Sequence, residues 1–573
     1  MAVHLQPAER RPEHLARLGR AHRGGAEQGR RVRRVHRPGG QEAGALGGLE
    51  RKPGHRGEQV RQGGPDQAGA RLHDRLTPRV ARPGRSAPPP PKPHQPSHEG
   101  TASVNKAWDV IVAGAGTGGL VLATFAARRG ARVLVADPAP RVGGTLHIAT
   151  GQLSAAGTRL QAERGIEDSP EAHLADILRI SKGTVDEGLV RLAVENAADT
   201  FEWLLGNGYE VLPDHPVQGQ NHEPYSTPRY YWGPEAGRSI LAALLPPFEA
   251  ERAKGGITLL LETEVVALRQ EDGAVTGVTV RLADGSTEEH TGRNVVLATG
   301  GYNSDPERFR KLNGVTAYAA ASYPYARGRG LDLGVSAGGY VRGGEKYLCS
   351  FGSVLDHDDH PAPVLCRPVH WPEMRQPWEI YVNAHGERFV AEDDPSVDRR
   401  EHALRAQPEL RRWIVFDDRI AREAPRLVPD WPLETLLGHF GTHPMFHRAD
   451  TLEELGRLAG VHPENLARTV AEYNAALGGD DPLGRTHRPL PVAEPPFYAI
   501  RVQGMSITST AGLAVDTRLR VVDRAGDPVP NLYAIGEILG SGQLMGDSFC
   551  GGMLATPAMT FGRLLGDRML TWT

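Results

Sequence analysis

Cysteine is scarce in this chain, with only Cys349, Cys366 and Cys550 among 573 residues. None of them forms a C-x-x-C pair, which excludes a zinc ribbon, covalent haem attachment and a run of iron–sulfur ligands. If the chain handles electrons, they must therefore enter or leave through an external donor or acceptor. No disulfide bond is implied either, and we expect a cytoplasmic protein because a reducing cytosol fits so few cysteines.

Long hydrophobic runs are also missing, and none approaches the roughly 20 residues that a membrane-spanning helix needs. Residues 1–103 lack Phe, Trp, Tyr and Ile altogether and are rich in Arg, Gly and Pro. They cannot bury enough apolar surface to offset the entropy of ordering. We expect residues 1–103 to be a disordered extension or the product of a misassigned start codon, with Val104 as an alternative start.

Charge is divided unevenly along the chain. Residues 1–103 carry 20 Lys/Arg and 9 Asp/Glu, a net charge of +11. The formal net charge of the whole chain is −3, so residues 104–573 carry a net charge of about −14. An acidic body argues against nucleic acid as a partner, although a basic arm within 1–103 remains the alternative. At this length we expect two or more domains.

One stretch carries the strongest signal. The apolar run 110–113 leads directly into Gly114-x-Gly116-x-x-Gly119, a helical pattern follows, and a second apolar run ends on Asp137. Glycines at these places allow a tight turn, approach of a pyrophosphate and close packing of helix on strand, while Asp137 can bond a ribose hydroxyl. The order of parts predicts dinucleotide binding and leaves NAD, NADP and FAD open. The alternative is a glycine-rich turn before a buried helix.

Further glycine blocks follow other apolar segments, and residues 345–490 are irregular and rich in Pro, His and Trp. Together the blocks resemble the flavoprotein family of fumarate reductases, succinate dehydrogenase flavoprotein subunits and 3-ketosteroid Δ1-dehydrogenases. The stretches that carry the resemblance are 110–119 with Asp137, 143–151, 154–158, 298–301, 383–389, 532–537, 551–552 and 560–562.

The resemblance implies an α/β fold in which a split Rossmann-like FAD-binding domain, residues 104–344 and 491–573, holds an inserted α+β cap domain, residues 345–490. It implies FAD as the cofactor. His147 lies two places from the position where some members attach FAD covalently, so we expect non-covalent FAD. The residues expected to contact FAD are Gly114, Gly116, Gly119, Asp137, Gly144, Thr145, Thr150, Gly151, Val265 through its backbone, Thr299, Gly300, Glu537, Gly552 and Leu554.

The positions at which fumarate reductases clamp a dicarboxylate are neutral here. By the same resemblance, the clamp arginine corresponds to Phe549, one histidine to Ile507 or Thr508 and another to Ser350. A dicarboxylate needs fixed cations once it is dehydrated, so an apolar pocket is expected instead. We expect an uncharged or singly charged cyclic carbonyl compound, with Tyr231 as a further contact.

The proton-transfer position of the family falls on Ser396, where the reductases carry Arg and the ketosteroid dehydrogenases Tyr. Arg399 and Arg400 follow within one turn, and a relay through Glu373, Arg375 and Arg399 is one hypothesis, with ordinary ion pairs as the alternative. Tyr325 is another candidate, because a phenol can act as acid or base, although a lone tyrosine often only packs. No metal is expected.

The chemistry that fits is hydride transfer beside a carbonyl, with one acid or base for the second hydrogen. We expect an FAD-dependent dehydrogenase that converts an apolar cyclic ketone to an enone and passes electrons to an external acceptor. A fumarate-reductase-like ene-reductase for a substrate other than a dicarboxylate is the first alternative. A flavin-binding protein without redox turnover is the second.

Overall fold

The computed structural model describes residues 107–219, 222–506 and 508–571. The expectations for residues 1–103, Val104 and Ile507 therefore lie outside the described residues. Within the described ranges, no helix is long and apolar enough to cross a membrane. No group of three or more His, Cys, Asp or Glu side chains in these ranges is placed to hold a metal ion.

The described chain alternates strands and helices through its first third and last part. The strands are β1 Val110–Ala113, β2 Val133–Ala136, β3 Leu153–Ser154, β4 Tyr230–Tyr231, β5 Ile257–Leu260, β6 Glu264–Glu271, β7 Ala274–Arg281, β8 Thr287–Thr291, β9 Val295–Leu297, β10 Val341–Arg342, β11 Val354–Leu355, β12 Val364–Cys366, β13 Ile380–Val382, β14 Arg411–Asp417, β15 Phe446–Ala449, β16 Phe497–Gln503, β17 Gly512–Leu513, β18 Arg520–Val522 and β19 Pro528–Ala534. The helices are α1 Thr117–Arg128, α2 Arg159–Glu163, α3 Pro170–Ile180, α4 Glu187–Glu195, α5 Ala197–Gly206, α6 Gly237–Ala253, α7 Pro306–Asn313, α8 Arg329–Ser336, α9 Val397–Arg405, α10 Asp418–Glu423, α11 Leu433–His439, α12 Leu452–Ala459, α13 Pro463–Ala475, α14 Ser541–Leu544 and α15 Ala555–Arg568.

A six-stranded sheet in the order β18-β19-β9-β1-β2-β5 forms the centre, and all its pairs except β18 with β19 are parallel. Strands β1, β2 and β9 are buried along their whole length, as a parallel sheet covered on both faces requires. The α/β expectation is confirmed. Since parallel strands share one carboxyl edge, the loops after β1, β2, β9 and β19 meet there.

Helix α1 covers this sheet and packs against α15 at very short range. A Cβ on Gly562 would lie 2.6 Å from the carbonyl oxygen of Gly118, and one on Gly566 would lie 2.6 Å from Cβ of Phe125. Glycine at these positions therefore lets the two helices touch through their backbones. The C-terminal segment is thereby joined to the first glycine turn, although more than 400 residues separate them in sequence.

A second, antiparallel sheet has the order β13-β14-β16-β15, and helices α9 to α13 lie between its strands in sequence. Residues Phe497–Gln503 pair with Arg411–Asp417, so this strand belongs with the segment expected to form the cap. The division into domains stays a prediction, and we propose that the inserted segment ends after Gln503 rather than at 490.

In the sequence, Thr184-x-x-Glu187 has the spacing of a capping box and predicts one helix that ends at Gly206, but the structure differs in two respects. The first helix begins after Asp186, whose carboxylate accepts a hydrogen bond from Leu189 N at 3.1 Å, whereas Thr184 donates to Ser181 O at 2.7 Å. The helical run then breaks at Asn196 before α5. Several polar residues near a helix start can cap it, and the spacing of apolar residues does not choose among them.

Candidate active site

The carboxyl edge of the central sheet brings the predicted cofactor residues together. Backbone hydrogen bonds join Gly114 N to Ala136 O at 2.8 Å and Ala298 N to Ala113 O at 2.8 Å. Asp137 directly follows β2, and Thr299 lies two residues after the end of β9. The glycine turn at 114–119, Asp137 and the glycine block 298–301 therefore meet at the same edge of the sheet.

Two glycines at this edge face open space. A Cβ on Gly116 or on Gly300 would meet no atom within 4 Å, although both residues lie in otherwise packed turns. Gly144 adjoins them, since its own Cβ would lie 3.2 Å from Cα of Gly116. The three positions form a bare backbone cradle beside the N-terminus of α1, where a pyrophosphate is held by amides and the helix dipole. The residues present therefore fit FAD.

Four other predicted cofactor glycines have a different structural role. A Cβ would lie 2.3 Å from Ala298 O at Gly114, 2.0 Å from Gly114 O at Gly119, 2.5 Å from the Ala236 carbonyl carbon at Gly151 and 2.4 Å from Ser154 N at Gly552. These glycines let backbone segments touch each other. Whether these four glycines contact FAD stays a prediction. The close backbone contacts are enough to explain why each of the four positions requires glycine.

Asp137 is buried and already holds two backbone amides. Its carboxylate accepts hydrogen bonds from Ala115 N at 2.6 Å and from Ala139 N at 2.8 Å. Burial raises the pKa of this carboxyl, and the two amides partly offset the shift. Asp137 thus fixes the glycine turn to the end of β2, and the predicted ribose contact would use its remaining acceptor capacity.

On the other side of the edge, Oγ1 of Thr299 is buried without a hydrogen-bond partner among the described residues. Glu537 accepts a hydrogen bond from Ser509 N at 3.1 Å, and burial raises its pKa. Leu554 stands directly before the first turn of α15, so the positive end of that helix faces the predicted pyrimidine edge. The FAD contacts expected for Thr145, Thr150 and Val265 stay predictions. His147 lies 2.9 Å from Val142 O through Nε2.

The family position for proton transfer lies at the start of α9. Ser396 caps this helix, and its hydroxyl donates to Glu223 Oε2 at 3.0 Å. The same carboxylate oxygen accepts from Asp398 N at 3.3 Å. A hydroxyl that is hydrogen-bonded to a carboxylate can pass on a proton. Ser396 and Glu223 can therefore act as an acid or base at the position where the reductases carry an arginine.

An aromatic wall lies beside this pair. The ring of Phe549 stacks on His222, with centroids 4.0 Å apart and an interplanar angle of 27°. Burial lowers the pKa of His222 to about 3, so this imidazole is neutral at pH 7. The Nε2 atom of His222 lies 3.1 Å from Nε2 of Gln152, which directly follows the glycine block 143–151. The clamp arginine is thus replaced by two uncharged rings.

The other two clamp positions carry hydroxyl groups. Ser350 donates through Oγ to Met505 O at 3.0 Å, and Thr508 Oγ1 lies 3.1 Å from Ser506 Oγ. These residues contact one short segment, 505–508, whose residue 507 is outside the described ranges. Both positions are neutral and hydrogen-bonded within the protein.

Tyr231 and Tyr325, the predicted substrate contact and the predicted acid or base, both contact other residues of the described chain. The hydroxyl of Tyr231 is 2.6 Å from Thr158 Oγ1 and its ring packs on Phe201, so it belongs to the core. Tyr325 is 40% exposed and packs on Tyr323, whose pKa is raised mainly by burial and also by the charge of Asp137. The roles of Tyr231 as a substrate contact and of Tyr325 as an acid or base therefore stay predictions.

The contacts of Glu373, Arg375 and Arg399 favour ordinary ion pairs over the expected relay, which stays a prediction. Glu373 is exposed, and Arg375 pairs with the buried Glu379 instead. Arg399 points to solvent with 65% of its side chain exposed and pairs with Asp394. Successive helical residues point about 100° apart, which separates Arg399 from its neighbour Arg400. Arg400 is fully buried and donates through Nη1 to His370 O.

Glu401, on the same helix, has an unusual carboxyl. Burial raises its pKa to about 8, so it is mostly protonated at pH 7. A carboxyl whose folded pKa lies above its unfolded value of 4.5 stabilises the fold fully below pH 4.5, and this contribution disappears as the pH rises through 8. We expect Glu401→Gln to lose less stability than wild type between pH 5 and 8.5, measured by urea unfolding. Glu210→Gln on the surface serves as control, and equal pH slopes for all three proteins would contradict the shift.

Glu223 and His222 were missed by the sequence analysis. They lie in an irregular segment between helices, and neither periodicity nor a glycine block marks them. Their proximity to Ser396 and Phe549 depends on contacts across more than 170 residues. Only the folded chain reveals them.

Comparison with known proteins agrees with this geometry. A family model described as "FAD binding domain" matches residues 109–554. A fumarate reductase (cytochrome) of Shewanella frigidimarina is 28% identical over 464 residues, covering 80% of this chain and 76% of the relative. A 4-oxocyclohexanecarboxylate 2-dehydrogenase of Sinomonas cyclohexanicum is 27% identical over 554 residues, covering 80% of this chain and 92% of the relative.

Among solved structures, the 3-ketosteroid Δ1-dehydrogenase of Sterolibacterium denitrificans superimposes with a TM-score of 0.64 at 21% identity, covering 82% of this chain and all of the other. At this identity the likeness concerns the fold. The predicted resemblance and the predicted cofactor are confirmed, since the family match spans most of the chain. The chain belongs to the FAD binding domain family and is an FAD-dependent oxidoreductase.

Proposed function

We propose that the protein dehydrogenates an apolar cyclic ketone to the corresponding enone. The observation that carries this proposal is the stacked pair of Phe549 and neutral His222 at the place where fumarate reductases hold a carboxylate. Such a wall binds a hydrocarbon ring and gives no charge to a dicarboxylate. The relative named as a dehydrogenase of 4-oxocyclohexanecarboxylate supports a ring ketone as the substrate class.

The second requirement is a proton acceptor next to the ring. FAD held at the edge of the central sheet would supply the hydride acceptor, and the carbon beside the carbonyl must lose a proton so that the double bond forms. Ser396 can take that proton as its own passes to Glu223 at 3.0 Å. We further propose that an external acceptor receives the electrons, since scarce cysteine leaves no iron–sulfur or haem ligands. We place this activity in the cytoplasm for the same reason.

An ene-reductase acting on a substrate other than a dicarboxylate is the second candidate, because relatives include fumarate reductases. Anaerobic mixing separates the two. Bleaching of the oxidised flavin by cyclohexanone or 4-oxocyclohexanecarboxylate supports dehydrogenation, and re-oxidation of the reduced flavin only by enones or enoates supports reduction. No response to either set, with fumarate also inert, would leave a flavin-binding protein without turnover.

Phe549 gives a direct test of the apolar wall. We expect Phe549→Arg to lower kcat/KM for a ring ketone roughly 10- to 100-fold, because a guanidinium must be desolvated against the ring. Phe549→Leu keeps the wall apolar and loses only ring stacking, so it should stay within about tenfold of wild type. Steady-state kinetics with matched FAD content checks both. Equal activity of the two variants would contradict the proposal.

A further inference from the structure

Three segments of the chain contact one another around the candidate active site. Segment 222–223 accepts a hydrogen bond from Ser396 of α9 at 3.0 Å, and it stacks on the ring of Phe549 with centroids 4.0 Å apart. These two contacts join segment 222–223 to α9 and to segment 547–549. The remaining contact, between α9 and segment 547–549, is made by His402, which has no part in the proposed proton transfer.

His402 lies between two carboxylates that belong to different segments. Its Nδ1 atom is 2.9 Å from the carbonyl oxygen of Asp398 and 3.3 Å from Oδ1 of the same residue, one helical turn earlier in α9. Its Nε2 atom is buried and lies 3.7 Å from Oδ2 of Asp547. Among the described residues, Asp547 forms no other ion pair. Asp398, His402 and Asp547 thus form a bridge from α9 to the segment that carries Phe549.

Both ring nitrogens of His402 face oxygen acceptors. A neutral imidazole has one N–H group and one lone pair, so one nitrogen would present its lone pair to an oxygen. The imidazolium form presents an N–H group on each side and adds the attraction of opposite charges. In agreement with this geometry, the hydrogen bond to Asp398 is the largest influence on the pKa of His402 and raises it, against the effects of burial and of the charge of Lys182. The bridge therefore requires a protonated His402.

The titratable groups that face His402 are Asp398 and Glu401 on α9, Lys182 in the turn after α3 and Asp547. Lys182 holds Asp398 through Nζ at 2.8 Å. Glu401 is mostly protonated at pH 7, because burial raises its pKa to about 8. When His402 loses its proton, Asp398 keeps Lys182 as a partner, whereas Asp547 loses its cation. Deprotonation therefore weakens the end of the bridge that lies next to Phe549.

The direction of the pH effect follows from the raised pKa of His402. A histidine whose folded pKa lies above its unfolded value of 6.5 stabilises the folded state fully below pH 6.5. This contribution is lost as the pH rises through the folded pKa. The bridge is therefore complete on the acid side of that pKa and weakens toward alkaline pH.

We propose that the imidazolium of His402 is a positioning residue, which holds α9 against segment 547–549 and so fixes Ser396 relative to Phe549. The bridge itself follows from contacts within the protein, whereas its effect on catalysis rests on the proposed function. His402 acts through Asp398 and Asp547 and needs no contact with the substrate. Loss of its charge leaves the proton acceptor and the aromatic wall in place but lets them move relative to each other.

Hydrogen exchange in the holoenzyme tests the bridge without any substrate. Exchange at C2 of the histidine rings, followed by mass spectrometry across pH, reports the protonation of His402. We expect its midpoint above pH 6.5 in wild type and at lower pH in Asp547→Asn, which keeps the shape of the side chain and removes its charge. At pH 6, backbone amides of residues 545–549 should exchange roughly three- to tenfold faster in His402→Gln than in wild type. His385→Gln, in an exposed turn after β13, is the matched control and should exchange like wild type.

His402→Lys keeps a positive charge up to pH 9 and covers the case in which His402→Gln does not fold. We expect it to retain slow exchange of residues 545–549 at pH 9, where wild type loses it. With a ring ketone, kcat/KM of His402→Gln should be roughly tenfold below wild type at pH 6. Glu401 titrates in every variant, so only differences between these proteins are assigned to His402.

Two results would overturn the proposal. One is a midpoint of His402 at or below pH 6.5, and the other is equal exchange of residues 545–549 in wild type and His402→Gln. A lower kcat/KM in His402→Gln without faster exchange would also contradict a positioning role. Faster exchange in His402→Gln, with no ketone oxidised even by wild type, would support the bridge and refute the proposed function.

Discussion

Gly116→Leu should give a folded protein that has lost FAD. The backbone at Gly116 has φ −82° and ψ −164°, which any residue adopts, and a Cβ there meets no protein atom within 4 Å. A leucine side chain would instead fill the cradle beside Gly144 and Gly300. We expect the affinity for FAD to fall by roughly two orders of magnitude, about 2.7 kcal/mol, with little change in unfolding of the apoprotein.

Two other glycines give matched comparisons. Gly119→Ala places a Cβ 2.0 Å from Gly114 O, so it should unfold at lower temperature whether or not FAD is bound. Gly206→Leu also meets nothing within 4 Å but lies on the exposed end of α5, and it should keep FAD. Absorbance at the flavin band and thermal unfolding of apoprotein and holoprotein measure the set. Full FAD occupancy in Gly116→Leu would show that the cradle holds something else.

Glu223→Gln should abolish most of the turnover without loss of FAD. The amide keeps the shape of the carboxylate and can still bond Ser396, but it cannot accept the proton that leaves the substrate. We expect kcat to fall roughly 100-fold or more, the scale typical of a removed general base, with KM nearly unchanged. Rapid-mixing kinetics of flavin reduction by a ring ketone measures the effect directly.

Ser396→Ala should also slow flavin reduction by the ring ketone, because it removes the hydroxyl through which the substrate proton is proposed to reach Glu223. Glu210→Gln, an exposed residue that precedes the same irregular segment, is the matched control and should behave like wild type. A rise in KM with unchanged kcat in Glu223→Gln would assign Glu223 to substrate binding. That result would remove the proposed base.

The cofactor half of the site could be predicted from sequence because its determinants are local. Gly114, Gly116 and Gly119 lie within six residues of sequence, so one short motif contains the two glycines that touch other backbone atoms and the one that faces open space. Asp137 follows the next strand at the same sheet edge. Parallel strands place such blocks together whatever the rest of the chain does.

The catalytic half could not be predicted in the same way. Arg399 and Arg400 are adjacent in sequence, but the phase of α9 sends one to solvent and the other into the interior. Glu223 reaches Ser396 from 173 residues away. A resemblance can predict roles only at positions where this chain keeps the residue of the family, and Ser396 does not carry the Arg or Tyr found there in the family.

The hydrogen bond between Ser396 and Glu223 joins two parts of the chain that the sequence assigns to different domains. Glu223 comes from the predicted FAD-binding part, whereas Ser396 opens a helix of the predicted cap. The proposed proton acceptor therefore needs residues from both parts of the chain, and neither predicted domain contains it alone.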